Sequence, residues 1–163
     1  MKEIPGVQFS DIEIRTYDMG EAAAHLTGYV QAVTAEDLEK HPNEGYRSDS
    51  VIGRSEMEDL YEKELKGNDG CEIWIVDVKG EKKEKIAGFT KEDGKDIRLT
   101  IDSELQMQLY EQFKEDEGCS VAMDPYTGEI LALVSTPSYD NNDFVRGMSE
   151  EQWDTLNENK TII

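Results

Sequence analysis

Four consecutive residues near the C-terminal end, Asp140-Asn141-Asn142-Asp143, have oxygen-bearing side chains of the kind that bind calcium. They lack the central glycine and the distal glutamate of an EF-hand loop. They also follow Pro137, and Asn and Asp are common turn residues. The sequence therefore favours a polar turn over a calcium site.

The two histidines are the next candidates for catalysis. His25 lies beside the apolar stretch Ala22–Leu26, and His41 precedes Pro42. Neither has a Cys or Ser partner at a recognisable spacing, which favours packed or solvated imidazoles over catalytic ones.

The two cysteines, Cys71 and Cys119, form no Cys-x-x-Cys pair and have no histidine at zinc-ligand spacing. We therefore predict no metal and no cofactor. A disulfide bond can form between them in an oxidising compartment. Because each begins a predicted strand, the sequence favours two small buried residues instead.

Carboxylates are abundant, with 37 Asp and Glu against 17 Lys and Arg in 163 residues, for a net charge of -20. That charge excludes nucleic acid and anionic membrane surfaces as partners. An acidic hydrolase using paired carboxylates is one reading, but acids at this density come close together by chance. With 37% hydrophobic residues, the chain is expected to be globular and not a disordered acidic tail.

No apolar run approaches the roughly 20 residues that span a bilayer as a helix, and residues 1–5 lack the apolar core of a signal peptide. By itself, this composition is compatible with a soluble cytoplasmic protein.

Helix starts are marked by capping boxes, in which a Ser or Thr and an acidic or amide residue three positions later satisfy free amide donors. The strongest predicted helix covers Glu56–Lys66, with an apolar stripe at Met57, Leu60, Tyr61 and Leu65, and ends at Gly67. Asp102 is predicted to cap another helix, which runs to about Lys114. The three capping boxes are Thr34 with Asp37, Ser55 with Glu58, and Ser149 with Gln152.

Apolar alternation predicts a β-hairpin with strands Ser120–Met123 and Glu129–Ser135, joined by a turn in which Pro125 and Gly128 set the corners. The second strand is apolar on both faces, so we expect it to be covered on both sides within a larger domain. The residues after Ser135 are too few to supply that cover. Further strands are predicted at Glu72–Val78, Lys83–Phe89 and Asp96–Ile101.

A family resemblance rests on motifs in a fixed order. DGKDIRLTID from Asp93, the following Leu105-Gln106, and MDPYTGEILALVSTPSYD from Met123 are together similar to the start of the transpeptidase domain of class B penicillin-binding proteins. Arg15-Thr16-Tyr17, AHLTGYV from Ala24 and VIGRS from Val51 resemble the preceding dimerisation, or pedestal, domain. The resemblance covers about residues 15–156 and is greatest to the low-affinity enzymes of the methicillin-resistance type.

Two positions depart from the family pattern. Asp18 replaces the proline that the family favours after its arginine-tyrosine element, so the local turn is expected to differ. Glu56 stands where many relatives have glycine, so the start of the helix predicted over Glu56–Lys66 is expected to be less tight than in those relatives.

The resemblance implies a serine acyl-transfer site built from Ser-x-x-Lys, Ser-x-Asn and Lys-Thr-Gly. None of the nine serines has a lysine three positions later. Ser48-Asp49-Ser50 lacks the asparagine, and Lys160-Thr161-Ile162 lacks the glycine. We therefore expect no catalytic residue in this chain, which would stop before the family's nucleophile.

The expected fold is α+β. A pedestal domain over residues 1–96 would be followed, after the polar turn 92–96, by the first helix and β-hairpin of an incomplete transpeptidase domain over residues 97–163. The expected function is to position the transpeptidase domain of a parent enzyme that cross-links peptidoglycan stem peptides and binds β-lactams. The alternative is a stand-alone extracytoplasmic module that binds cell-wall glycan or a partner in the division or elongation machinery.

The resemblance also implies partners and a location. Partners would be the remainder of the same penicillin-binding protein and, through it, peptidoglycan and cell-wall synthesis proteins. Apart from the resemblance, the edges and apolar faces of hairpin residues 120–135 would be open, so we expect the hairpin either to fold back onto the pedestal domain or to form a homodimer with a second copy of the chain. The location would be the extracytoplasmic face of the cell membrane, with the parent anchored by an N-terminal transmembrane helix absent from this sequence.

Overall fold

Short helices and two-stranded antiparallel sheets make up the structure, a computed structural model that describes residues 14–158. The helices are α1 Ala24–Thr27, α2 Ala35–Lys40, α3 Glu56–Leu60, α4 Glu62–Lys66, α5 Ser103–Phe113, α6 Asn141–Arg146 and α7 Glu150–Glu158, with a 3-10 turn at Gly20–Ala22 before α1. The strands are β1 Val30–Ala32, β2 Val51–Gly53, β3 Cys71–Val76, β4 Lys82–Phe89, β5 Gly118–Met123 and β6 Ile130–Thr136. Within the described residues they pair as β1–β2, β3–β4 and β5–β6. The predicted α+β class is confirmed.

The predicted hairpin forms β5 and β6, paired from Gly118 with Thr136 to Met123 with Ile130. Asp124 organises the turn, because its carboxylate accepts hydrogen bonds from the main-chain N–H groups of Tyr126 (2.7 Å) and Thr127 (3.1 Å). Gly128 closes the turn at a φ of 77°, a conformation that favours glycine.

Two of the predicted capping boxes form. The Thr34 side chain and the Asp37 side chain each bond the other's main-chain N–H at the start of α2. Ser149 and Gln152 make the same reciprocal pair before α7. The third prediction was wrong, because among the described residues Ser55 makes no side-chain bond to cap α3.

The predicted single helix over residues 56–66 is divided into α3 and α4 at Tyr61, whose φ of -109° is not helical. Glu56 takes a φ of 47°, in the left-handed region that favours glycine. Leu60 is 68% exposed, so its predicted place in the apolar stripe was wrong. The predicted stop at Gly67 is confirmed by its φ of 68° after α4.

The strand predicted at Asp96–Ile101 does not form. This segment runs beside β6 and meets it through the Thr100 hydroxyl, which donates to Ile130 O at 2.6 Å. The main-chain N–H of Asp102 donates to Leu131 O at 2.8 Å. Further along β6, a side chain from α5 takes the place that a neighbouring strand would have.

The core joins residues from both ends of the described chain. Ala24, Tyr139 and Phe144 are buried together, and the Tyr29 ring stacks on Phe144 with 3.9 Å between ring centroids. Met148 and Leu156 pack against the same cluster.

Strands β3 and β4 form an arm outside this core, and nearly all of their side chains are exposed. Cys71 at the base of the arm and Cys119 in β5 are free thiols and both are exposed. The prediction that both cysteines are buried was therefore wrong, and no disulfide joins them.

No helix within residues 14–158 combines the length and the apolar character needed to cross a bilayer. Over the same range, no cluster of three or more His, Cys, Asp or Glu side chains is arranged to hold a metal ion.

Candidate functional site

Polar side chains concentrate where residues 15–30 meet residues 102–144, and we call this region the joint. It is made by the turn before α1, helix α1 and the start of β1 on one side. Helices α5 and α6 and strand β6 form the other side. Three amide side chains cross it, those of Gln106, Asn141 and Asn142.

Gln106 lies at the centre of the joint with none of its surface exposed. Its Nε2 donates to Ala22 O and to Leu133 O, both at 2.6 Å, and its Oε1 accepts from the main-chain N–H of Leu133 at 2.7 Å. The amide therefore uses both its donors and its acceptor. An unpaired buried amide would cost about 1–3 kcal/mol, so this arrangement favours one position of α5 relative to the 3-10 turn and β6.

Asn142 pairs with the backbone of Tyr17 in the same manner. Its Nδ2 donates to Tyr17 O at 3.0 Å, and its Oδ1 accepts from Tyr17 N–H at 2.9 Å. Asn141 donates to Gly28 O and to the Thr27 hydroxyl, both at 3.0 Å. Both asparagines are buried, so each reaches backbone that water would otherwise solvate.

The four residues considered for calcium binding thus begin a helix instead of forming the predicted turn. Asp140 caps α6, since its carboxylate accepts from Asn142 N–H at 2.9 Å. The two asparagines that follow are directed into the joint. A cation site would need these oxygens to converge on one point, whereas here Asp140 Oδ1 and Asn142 Oδ1 each accept a main-chain N–H group.

An aromatic cluster packs beneath the amides. The Tyr139 ring meets His25 edge-on at 5.1 Å between centroids and Phe144 at 5.3 Å. Burial raises the pKa of the Tyr139 phenol to about 12. His25 Nε2 lies 3.2 Å from Pro137 O, so His25 is packed as predicted, while His41 lies 3.3 Å from the carboxylate of Glu44.

Glu21 accepts two hydrogen bonds at the edge of the joint. Its carboxylate accepts the hydroxyl of Tyr110 on α5, and its carbonyl oxygen accepts the hydroxyl of Ser138 at 2.7 Å. Burial, and then the hydrogen bond to Glu21, raise the pKa of Tyr110. Ser138 is therefore occupied in a structural contact.

The arginine-tyrosine element noted in the sequence supports the joint from one side. The Arg15 guanidinium bonds the nearly buried carboxylate of Glu58 at 2.7 Å. The Tyr17 hydroxyl accepts from Val30 N–H at 3.0 Å, which fixes the start of β1. Burial raises the pKa of Tyr17, and the neighbouring Glu58 raises it further.

A second ion pair holds α2 to the strand that precedes α3. Arg54 donates two hydrogen bonds to the Asp37 carboxylate, at 2.9 and 2.8 Å. The hydrogen bonds from Arg54 and then from Thr34 hold the pKa of Asp37 well below its usual range.

An apolar pocket of about 330 Å³ lies beside the joint, and Met57, Tyr61 and Leu65 line it together with Ile97 and Leu99. Three members of the predicted stripe thus line a pocket together with the segment leading to α5. Taken together, these contacts fix two parts of the chain relative to each other.

Sequence reasoning did not identify the three amides as functional. The one local signal was in α5, where Gln106 shares a helical face with Leu109 and Phe113 and so interrupts an apolar stripe. The two asparagines gave no comparable signal, because their partners lie more than 100 residues away.

Comparison with known proteins gives two family matches. The model of the "Penicillin-binding Protein dimerisation domain" matches residues 1–99. The model of the "Penicillin binding protein transpeptidase domain" matches residues 118–161.

Two characterised relatives match almost the whole chain. Penicillin-binding protein 3 of Bacillus subtilis is 45% identical over 157 residues, which are 96% of this chain and 23% of that protein. Peptidoglycan D,D-transpeptidase MrdA of Escherichia coli K12 is 36% identical over 156 residues, or 93% of this chain and 25% of the relative. The chain thus spans about a quarter of the length of these relatives.

Solved structures agree with this fold. Helicobacter pylori PBP2 in its complex with MreC superposes with a TM-score of 0.82 at 27% identity, over 92% of this chain and 28% of that one. Pseudomonas aeruginosa PBP2 in complex with WCK 5153 gives a TM-score of 0.72 at 32% identity, over 91% and 29% of the two chains.

Proposed function

This chain belongs to the penicillin-binding proteins, and from that premise we propose that it holds the transpeptidase domain in a fixed position on the dimerisation domain. The observation that carries the proposal is the joint. Gln106, Asn141 and Asn142 are buried and reach the backbone of residues 17–28.

Buried polar contacts of this kind fix geometry more strictly than apolar packing does. An apolar face can slide on its neighbour at little cost, whereas displacement of Gln106 would leave Ala22 O and both peptide groups of Leu133 unpaired. The shared cluster of Ala24, Tyr139 and Phe144 supplies the apolar part of the same interface. The buried polar contacts and the apolar cluster both favour a single orientation of the transpeptidase segment relative to the dimerisation domain.

The division into a pedestal domain over residues 1–96 and a transpeptidase segment over residues 97–163 stays a proposal. The family matches at residues 1–99 and 118–161 support it as a division of sequence modules. The two modules share one core, so we expect them to fold as one unit.

The parent activity is inferred from the relatives. MrdA is a peptidoglycan D,D-transpeptidase by name, and we infer that the intact protein cross-links peptidoglycan stem peptides through a serine nucleophile and is acylated by β-lactams. This chain carries only part of the transpeptidase domain and contains no Ser-x-x-Lys. We propose that it holds no catalytic residue and is not an enzyme by itself.

Partners and location follow from the same relatives. The Helicobacter pylori relative was solved as a complex with MreC, and we infer that the intact protein likewise works with cell-wall synthesis proteins at the extracytoplasmic face of the membrane. The homodimer through residues 120–135 remains a prediction. Val121 and Met123 would supply its apolar surface, since both are more than half exposed.

Two activities of the intact penicillin-binding protein test the positioning role, measured on a Gln106→Ala variant. Acylation by labelled penicillin needs only a folded active site, while cross-linking of stem peptides also needs the domain correctly placed. We expect acylation to persist and cross-linking to fall. Gln108→Ala, on the exposed face of the same helix, is the matched control. Unchanged cross-linking in Gln106→Ala would contradict a positioning role for the joint.

A further inference from the structure

The apolar pocket beside the joint is enclosed by separate parts of the chain. Residues within 15–27 and 57–65 supply most of its lining, and Ile97 and Leu99 from the segment before α5 supply the rest. We propose that this pocket binds one small, uncharged aromatic molecule. The inference goes beyond the positioning role and does not depend on it, because it concerns the walls of a cavity and not the three buried amides.

The segment before α5 is attached at both of its ends. Lys95 N–H donates to the carbonyl oxygen of Glu64 in α4 at 2.7 Å. At the other end, the Thr100 hydroxyl donates to Ile130 O in β6 at 2.6 Å. The residues between these two bonds therefore form a held wall of the pocket. A pocket with held walls is largely preformed, as ligand sites usually are.

Apolar side chains dominate the lining. Ile97 and Leu99 contribute to it and are half-buried, while Arg98 between them is exposed. Met57 and Tyr61 are further members of the lining and are also half-buried. A guest that covers these four apolar side chains would remove more apolar surface from water, which favours binding.

Polar groups of the lining are already bonded within the protein. Arg15 donates two hydrogen bonds to the Glu58 carboxylate, at 2.7 and 3.2 Å. The Tyr17 hydroxyl accepts a main-chain N–H at 3.0 Å, and the Thr27 hydroxyl donates to Ala23 O at 3.0 Å. A water molecule needs about two to four polar partners to stay in a cavity, so these engaged groups favour an apolar guest over water.

The charged residues of the lining disfavour an ionised guest. Arg15 and Glu58 neutralise each other, so a buried ion would lose its hydration with little compensation. The third charged residue, Asp18, is exposed, and it and the net charge of -20 both repel an anion. A cation beside Asp18 would stay in water and leave the apolar walls uncovered. An uncharged molecule meets neither cost.

The size of the pocket and two of its side chains favour an aromatic guest. An apolar cavity of about 150 Å³ is large enough for benzene, so the 330 Å³ of this pocket suit a molecule of about two rings. Met19 and Met57 belong to the lining. Methionine side chains adapt their shape to a guest, and their sulfur atoms make favourable contacts with aromatic rings.

Titration of this chain with 6-propionyl-2-(dimethylamino)naphthalene tests the proposal. This uncharged two-ring dye emits at shorter wavelength in apolar surroundings, and we expect saturable binding of one dye per chain. The indole ring that Leu99→Trp introduces should occupy the pocket and raise the dissociation constant at least about tenfold. Arg98→Trp adds the same ring at the exposed neighbouring position and should change the dissociation constant by less than about twofold.

Hydrogen exchange of the unmodified chain locates the dye independently of any variant. Saturating dye should slow the exchange of amides in residues 57–65 and 97–99 and leave the arm of β3 and β4 unchanged. Slower exchange in the arm would overturn the proposal, because it would place the dye on exposed apolar residues such as Ile73 and Phe89. So would binding that does not saturate, or equal affinity of the dye for the unmodified chain and for Leu99→Trp.

Discussion

Gln106 and Leu133 are paired by two hydrogen bonds, in which a side-chain amide takes the place of a neighbouring strand's peptide group. Gln106 Nε2 donates to Leu133 O at 2.6 Å, and Leu133 N–H donates to Gln106 Oε1 at 2.7 Å. The edge of β6 is therefore satisfied by a helix.

Loss of this amide should be costly. In Gln106→Leu, the peptide groups of Leu133 and the carbonyl of Ala22 would lose their partners while staying buried, and we expect a loss of about 2–4 kcal/mol in the free energy of unfolding. Urea titration of this chain measures it. Gln108→Leu on the exposed side of α5 should change stability by less than about 0.5 kcal/mol. A loss below that level in Gln106→Leu would show that the edge of β6 is satisfied in another way.

Relief of backbone strain should stabilise the start of α3. Glu56 has a φ of 47°, a conformation that costs a non-glycine residue about 1–2 kcal/mol. Glycine avoids this cost, but part of the gain is offset because glycine loses more conformational entropy on folding. Glu56→Gly should therefore raise the free energy of unfolding by about 0.5–1 kcal/mol. Glu56→Ala removes the same carboxylate but keeps the Cβ, so it should give no such gain. If the two substitutions changed the free energy of unfolding equally, the change would come from loss of the carboxylate charge and not from relief of backbone strain.

Stability should fall at alkaline pH because of buried tyrosines. The pKa of Tyr139 is raised by burial to about 12 from an ordinary value of 10.0. The unfolded chain thus loses this proton at a lower pH than the folded protein. The contribution is present below pH 10 and is lost as the pH rises from about 10 to about 12.

Melting temperatures between pH 9 and 11 check this dependence. Tyr139→Phe should show a shallower alkaline decline than the unmodified chain, while some decline remains because the pKa values of Tyr17, Tyr46 and Tyr110 are also raised. Tyr126→Phe removes an exposed phenol and should leave the slope unchanged. A Tyr139→Phe variant with the original slope would contradict the assignment.

This chain should form no stable adduct with penicillin. None of its serines has a lysine three positions later, and Ser138 is bound to the carbonyl of Glu21. Intact-mass spectrometry after incubation with a labelled penicillin should therefore show the unmodified mass. Stoichiometric acylation of any serine would mean that an acyl-transfer site exists here after all.

Features fixed by neighbours in the sequence were predictable, and features fixed by distant residues were not. The turn after Asp124 and the cap at Asp102 follow from side chains that bond amides two or three residues away. The missing capping box at the start of α3 has a remote cause, since its acid, Glu58, is bound by Arg15.

The joint shows the same limit. A sequence pattern can predict that Asn141 and Asn142 belong to a polar segment after Pro137. It cannot predict that they lie at the start of a helix packed on Tyr17 and Gly28. That arrangement follows from the contact between residues 15–30 and residues 102–144.

The shared core has a consequence for how such proteins exchange parts during evolution. Recombination between two relatives at residue 97 would bring Ala24 and Tyr29 of one lineage against Tyr139 and Phe144 of the other. Such a hybrid gene keeps both catalytic and dimerisation sequences intact, yet its product folds well only if the inherited halves fit. Crossovers that survive selection should therefore avoid residues 15–144, so that the whole joint is inherited from one ancestor.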